Sequence, residues 1–224
     1  VYSTYQAVSG AGRNGVVDLE NGINDYVNKR SKELSASNVN NKIDVMAELE
    51  SDSKNPSYEL TKFNYPIFSN CLPHIDVFLE NGYSKEEEKM INETRKILKR
   101  PNLKITATTV RVPVFNSHSE SINVEFENDF ELDDLIKTLS GFPGLIVQDN
   151  LYESPNKSKF ENNKETLKPI YPLAIHASGH DEVFVGRIRR DFSVKSGINL
   201  WVVADNIRKG AATNAVQIVE KMLS

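Results

Sequence analysis

The chain has a single cysteine, Cys71, in 224 residues. It cannot form an internal disulfide, which fits a reducing compartment, most simply the cytoplasm. A basic excess is also missing: 27 Lys and Arg stand against 31 Asp and Glu, for a net charge of −4. That leaves no electrostatic footprint for nucleic acid. No apolar run approaches the length of a membrane span. The opening "VYSTYQAVSG" lacks a basic segment followed by an apolar one, so it is not a signal peptide. No internal repeat is visible. The four histidines do not fall at metal spacing with Cys71, and HxxxH at His176–His180 spans a glycine in a loop-like stretch. No metal is expected. There is no initiator Met, and neither end carries a stop or lead-in signal, which reads as a piece of a longer chain.

What is present describes an ordinary globular chain, 39% hydrophobic and 26% charged, long enough for one large domain. "VYSTYQAV" alternates β-branched and aromatic residues and predicts a strand. "SGAGRNG" turns into a helical stretch, "VVDLENGINDYVNKRSKEL". Residues 35–66 and 150–168 read as polar excursions. The strongest helix signal follows Ser84, an N-cap with Glu87 three residues later, acids in the first turn and bases in the last. Pro101 ends it. Strands are predicted over 103–114 and 121–127, then a short helix closed by Gly141 and a strand at "GLIVQD". "EVFVGRIRRDF" and "INLWVVADN" predict an antiparallel pair, and residues 206–224 a last helix capped by Asp205 or Asn206. Strands in runs with a few helices predict an α+β fold, a mixed and largely antiparallel sheet with helices on one face.

Several residues could carry chemistry. Arg111 closes an apolar run, and His118 follows it in "RVPVFNSHSE". A guanidinium can hold a carboxylate through two bonds, and an imidazole can move a proton near neutral pH. Spacing alone favours a surface ion pair and a loop histidine. Glu86 and Lys89 share a helix face and could offer opposite charges to a zwitterion, although "KEEEK" alone reads as a solvated face. Ser9, Gly10, Ala11 and Gly12 form a glycine-rich turn that could bring backbone N–H groups to a ligand, or simply turn. Cys71 reads as a small buried or half-buried residue rather than a thiolate partner of His118.

Taken in order, "STYQAVSGAG", "LPHIDVFLENGYSKEEEKMINETRKIL", "TATTVRVPVFNSHSE", "VGRIRRD" and "LWVVADNIRKGAATNAVQI" resemble bacterial aspartate-β-semialdehyde dehydrogenases from the first residue nearly to the last. The resemblance implies the catalytic and dimerisation portion over 1–205, of the glyceraldehyde-3-phosphate-dehydrogenase-like C-terminal kind. It implies no Rossmann domain here, and a helix over 206–224 that would pack on that missing domain. By the same resemblance, the intact enzyme uses NADPH to reduce aspartyl phosphate to the semialdehyde with release of phosphate, through a cysteine thioester. His118 matches the acid/base histidine, Arg111 the arginine for the substrate carboxylate, and Glu86 the glutamate near the substrate amine. Lys89 matches a phosphate-binding lysine, and Gln6 the glutamine beside the nucleophile. Ser9 to Gly12 and Asn206 match positions near the nicotinamide of NADP. The family's nucleophile lies in an "NPNCST"-like motif, which this chain does not contain, and Cys71 does not inherit that role. Ser117 stands where the family often has Gly or Ala. A homodimer or homotetramer is implied. The alternatives are a non-catalytic dimerisation fragment and a related reductase such as N-acetylglutamyl-phosphate reductase.

Overall fold

The computed structural model describes residues 1–35, 51, 54–152 and 169–223. Most of the two polar excursions therefore lies outside the described residues. Six strands form one sheet: β1 (Tyr2–Gln6), β2 (Ala107–Arg111), β3 (His118–Glu125), β4 (Leu145–Val147), β5 (Val183–Asp191) and β6 (Gly197–Ala204). Their order is β2-β1-β3-β6-β5-β4. The outer pairs β1–β2 and β4–β5 are parallel, and the three inner pairings are antiparallel. The helices are α1 (Arg13–Ser35), α2 (Lys85–Ile97), α3 (Leu132–Ser140), α4 (Ala174–Ala177) and α5 (Ala212–Leu223). A 3-10 turn, Val8–Ala11, joins β1 to α1.

This is the expected α+β mixed sheet, with some differences. Helix α2 covers the face that carries Tyr2 and Thr109, as Tyr2 Oη donates to the Met90 carbonyl at 2.7 Å. The single turn α4 lies on the opposite face, where Ala177 packs with Phe184 and Val203. So helices do not keep to one side. The strand predicted over 103–114 pairs only at 107–111, and Pro113, which has no N–H, stops the ladder on its C-terminal side. The strand predicted at 121–127 starts earlier, at His118, which faces Ala204 across the β3–β6 ladder. The last helix starts at Ala212 rather than 206. Before it, the Asp205 carboxylate accepts the Ile207 and Arg208 N–H groups and holds a turn.

A core of Val8, Leu19, Ile67 and Leu72 sits under the 3-10 turn, where α1 packs against it. The described part of the first excursion is tied down here. Asp18, fully buried, accepts the Thr61 hydroxyl at 2.7 Å and the N–H groups of Thr61, Lys62 and Phe63. These bonds outweigh the cost of its burial and hold its carboxyl below the usual range.

Candidate active site

Gln6 and Arg111 are partners at the ends of parallel β1 and β2. Strand β3 runs antiparallel to β1, with Tyr5 opposite Ser119, so His118 at its start lies at that same end. Residues two apart on a strand share a face, so these ends converge by topology, from positions more than a hundred residues apart.

Helix α2 brings the charged pair. Its capping box is complete: Glu87 N–H donates to Ser84 Oγ at 3.3 Å, and Ser84 N–H to Glu87 Oε2 at 2.8 Å. The other oxygen of Glu87 accepts the Thr109 N–H at 3.0 Å. One carboxylate thus caps the helix and covers the edge of β2. That fixes the first turn over the strand ends. Gln6 Nε2 donates to Glu86 Oε1 at 3.3 Å, and Lys89 Nζ lies 3.3 Å from Glu86 Oε2.

The backbone of Ala7, through the two peptides on either side of its Cα, joins the remaining two groups. Arg111 Nη1 donates to the Ala7 carbonyl at 2.6 Å, and the Ala7 N–H donates to His118 Nδ1 at 3.0 Å. Arg111 is buried, and burial pushes its guanidinium down to about 10, against the opposing pull of Glu86. It remains charged at neutral pH. Burial pushes His118 down to about 3, with Arg111 and Lys89 adding to the effect and Asp205 opposing it. A side chain at Gly10 would begin 2.9 Å from both Arg111 Nη1 and His118 Cε1, so only glycine leaves room where these two tips meet.

The turn and Asn206 also come together. Ser9 Oγ lies 3.1 Å from Asn206 Nδ2, and Asn206 Oδ1 accepts the Ser117 N–H at 2.9 Å. Ser117 has φ 72, a region that favours glycine. It is held there by that bond and by the Ser178 hydroxyl 3.0 Å from its own. Gln6, Ser9, Gly10, Glu86, Lys89, Arg111, His118 and Asn206 thus lie around one end of the sheet, while Ala11 and Gly12 continue the 3-10 turn and its cap.

Three groups escaped the sequence reading. Asp205, which the sequence offered only as a helix cap, is buried and accepts from Gly179 N–H at 2.7 Å and Asn116 Nδ2 at 2.9 Å. Asn116 also accepts from Ser9 Oγ at 3.0 Å. "FNSH" between two strands was the available signal for Asn116. The Ala7 peptide had no signal, since any residue supplies it. Cys71 is exposed rather than buried or half-buried, and the following residue bridges to Arg111 through its backbone. Among the described residues, no group of three or more His, Cys, Asp or Glu could hold a metal ion. A cavity of about 340 Å³ opens on the other sheet face between Ser119, Arg187, Arg189, Tyr171 and Trp201, away from this site.

Residues 1–209 match the family model described as "Semialdehyde dehydrogenase, dimerisation domain". The chain belongs to this family. It is 45% identical over its full length to the aspartate-semialdehyde dehydrogenase of Aquifex aeolicus and covers 54% of that protein. It is 39% identical to the enzyme of Bacillus subtilis, across 99% of this chain and 55% of that protein. Among solved structures, aspartate semialdehyde dehydrogenase II of Vibrio cholerae complexed with ASA superposes with TM-score 0.75 at 36% identity, over 99% of this chain and 53% of that one. The enzyme of Francisella tularensis gives TM-score 0.76 at 26% identity, over 98% of this chain and 57% of that one. This semialdehyde dehydrogenase domain spans about half the length of the relatives it matches.

Proposed function

We propose that this chain is the substrate-holding half of an NADPH-dependent aspartate-semialdehyde dehydrogenase, which reduces L-aspartyl-4-phosphate to L-aspartate 4-semialdehyde and releases phosphate through a cysteine thioester. The observation that carries it is the pairing of a buried, fixed guanidinium with a fixed carboxylate. Arg111 is held by the Ala7 carbonyl, and Glu86 by Gln6 and Lys89. An α-amino acid presents a carboxylate and an ammonium a few atoms apart, and this charge pair complements both. Gln6 borders the acyl group, Lys89 attracts phosphate, and His118 serves as the acid/base group. The nucleophilic cysteine belongs to the part of the enzyme this chain does not include, so residues 1–224 alone turn over no substrate.

Ser9 to Gly12 and Asn206 would border the nicotinamide of NADP. The fit is reasonable: the bare Gly10 leaves space, and the Ser9–Asn206 pair offers neutral donors and acceptors for a carboxamide. The cofactor supplies the reducing electrons when bound.

The chain also dimerises, in this reading, through the open sheet face that carries Tyr5 and Trp201. Their rings sit 5.5 Å apart, and Tyr5 is 38% exposed. A cytoplasmic enzyme accords with this chemistry.

The test is phosphate-dependent reduction of NADP by aspartate semialdehyde, catalysed by the complete protein that carries this chain. Turnover is expected. Turnover with N-acetylglutamate semialdehyde instead would favour that related reductase, and none with either would favour a non-catalytic dimerisation role.

A further inference from the structure

The cavity of about 340 Å³ on the sheet face opposite α2 plays no part in the site above. Strand β3 has two sides. His118 serves the site, while Ser119 and Ser121, at alternate positions, line the cavity. Trp201 lies opposite Ser121 on β6 and lines it too. Arg187 and Arg189 enter from β5, and Tyr171 from the chain before α4. The volume suits a small organic molecule.

A β-bulge sets the two arginines. Strands β5 and β6 pair from Val183 to Gly186, slip by one residue, and pair again at Arg189. At the slip, Arg187 has φ 52, a region that favours glycine. The Asp149 carboxylate holds it there, accepting the Arg187 N–H at 2.9 Å and the Ile188 N–H at 2.8 Å. Ile188 is buried, and the arginines on either side of it both reach the cavity. A side chain at Gly186 would strike Pro172 and the Gln148 carbonyl, so the bare glycine lets that chain close over the strand.

The charges are left open. Among the described residues, neither guanidinium makes an ion pair. Arg189 Nη1 donates to the Arg187 carbonyl at 2.7 Å. Asp191 feels the charge of Arg189, but its oxygens accept from Ser193 and Asn123. The Ser119 and Ser121 hydroxyls also lack a hydrogen-bond partner among the described residues. No carboxylate among them lines the cavity, so an ammonium finds nothing to pair with. Two like charges this close repel each other unless an anion sits between them.

We propose that this cavity binds a small organic anion, with its oxyanion group between Arg187 and Arg189 and its apolar body against Trp201 and Tyr171. The guanidiniums and the two serine hydroxyls supply donors only to the oxyanion, and the aromatic walls take the body. A free amino acid fits poorly, because its ammonium stays unpaired. The concave shape favours a free molecule over an acidic side chain of a second copy, although the cavity opens on the face read above as the dimer surface.

Isothermal titration calorimetry on the complete protein tests this without any turnover. The probe is phenylphosphonate, and phenylalanine is its counterpart with the same ring and an added ammonium. Phenylphosphonate should bind at or below about 1 mM, at least tenfold more tightly than phenylalanine. Arg187→Gly and Arg189→Gln should each weaken it at least tenfold, while Arg111→Lys leaves it unchanged. Arg187→Gly also relieves the left-handed backbone, so its urea midpoint should rise as binding is lost. The proposal would be overturned by no binding to the wild type, by equal binding of phenylalanine, or by unchanged affinity in both β5 variants. Loss in Arg111→Lys instead would put the probe in the candidate active site and overturn it too. Light scattering separates the remaining source of a carboxylate. Monomers of the β5 variants from a dimeric wild type would mean that the arginines serve a second copy, which would also contradict the proposal.

Discussion

At the scale of single residues, Gly10 is the position with least freedom. A Cβ there would touch the tips of both Arg111 and His118, and each tip is pinned to the Ala7 peptide. Because the obstacles are side-chain ends rather than backbone, Gly10→Ala should leave stability within about 1 kcal/mol of wild type. In the complete enzyme it should lower kcat/KM by at least tenfold, read by steady-state kinetics beside a urea titration. His118 also gives the fold a pH signature. Its value falls from 6.5 in the unfolded chain to about 3 in the fold. Between those values the unfolded state binds a proton that the folded state refuses, so acid favours unfolding. His118 thus contributes stability above pH 6.5 that is lost as pH falls toward 3. His118→Gln should remove that part of the acid dependence, measured as a smaller drop in the urea midpoint between pH 7 and pH 4.5. Much of this site was readable in advance. Arg111, His118, Glu86 and Lys89 carry side chains whose chemistry shows in the letters. The Ala7 peptide does not, because a backbone amide looks the same at every position. Glu120 was also passed over; burial raises its carboxyl above the usual range, at a position just outside the strand predicted over 121–127.

Among the elements, α2 was the most legible, because its ends are written in local chemistry. Ser84 and Glu87 form the capping box that their spacing predicts. What spacing could not predict is the second use of Glu87, which accepts the N–H of Thr109 on a strand 22 residues away. Ser84→Ala should therefore cost more than an isolated cap, which is worth about 1 kcal/mol. It also removes the hydroxyl beside Thr109 Oγ1 at 3.4 Å. Urea unfolding should show a loss of about 1–2 kcal/mol. A loss below about 0.5 kcal/mol would mean that α2 is held by its packing and not by its cap. The β3 boundary was misjudged for a different reason. "SHSES" has no apolar alternation, and only the partner strand β6 makes His118 part of a ladder. The start of α5 was misjudged because Asp205 spends its carboxylate on a turn, and Gly210, with φ 78, breaks the chain before Ala212.

For the whole molecule, the sheet leaves one face with aromatic surface and the other joined to α2 and the site. If the open face is a dimer surface, light scattering on the purified protein should give twice the chain mass. Trp201→Asp with Tyr5→Asp should then give the monomer without loss of far-ultraviolet circular dichroism. A wild-type monomer would contradict it. The central claim concerns the other end of the sheet: Arg111 anchors a substrate carboxylate, and Cys71 takes no part. The most direct measurement is kcat/KM for aspartate semialdehyde in the complete enzyme, for Arg111→Lys and Cys71→Ser side by side. The account predicts a fall of at least a hundredfold for Arg111→Lys, mainly through KM, because lysine keeps the charge and loses the fork. It predicts wild-type values for Cys71→Ser. A fully active Arg111→Lys enzyme, or an inactive Cys71→Ser enzyme, would contradict it.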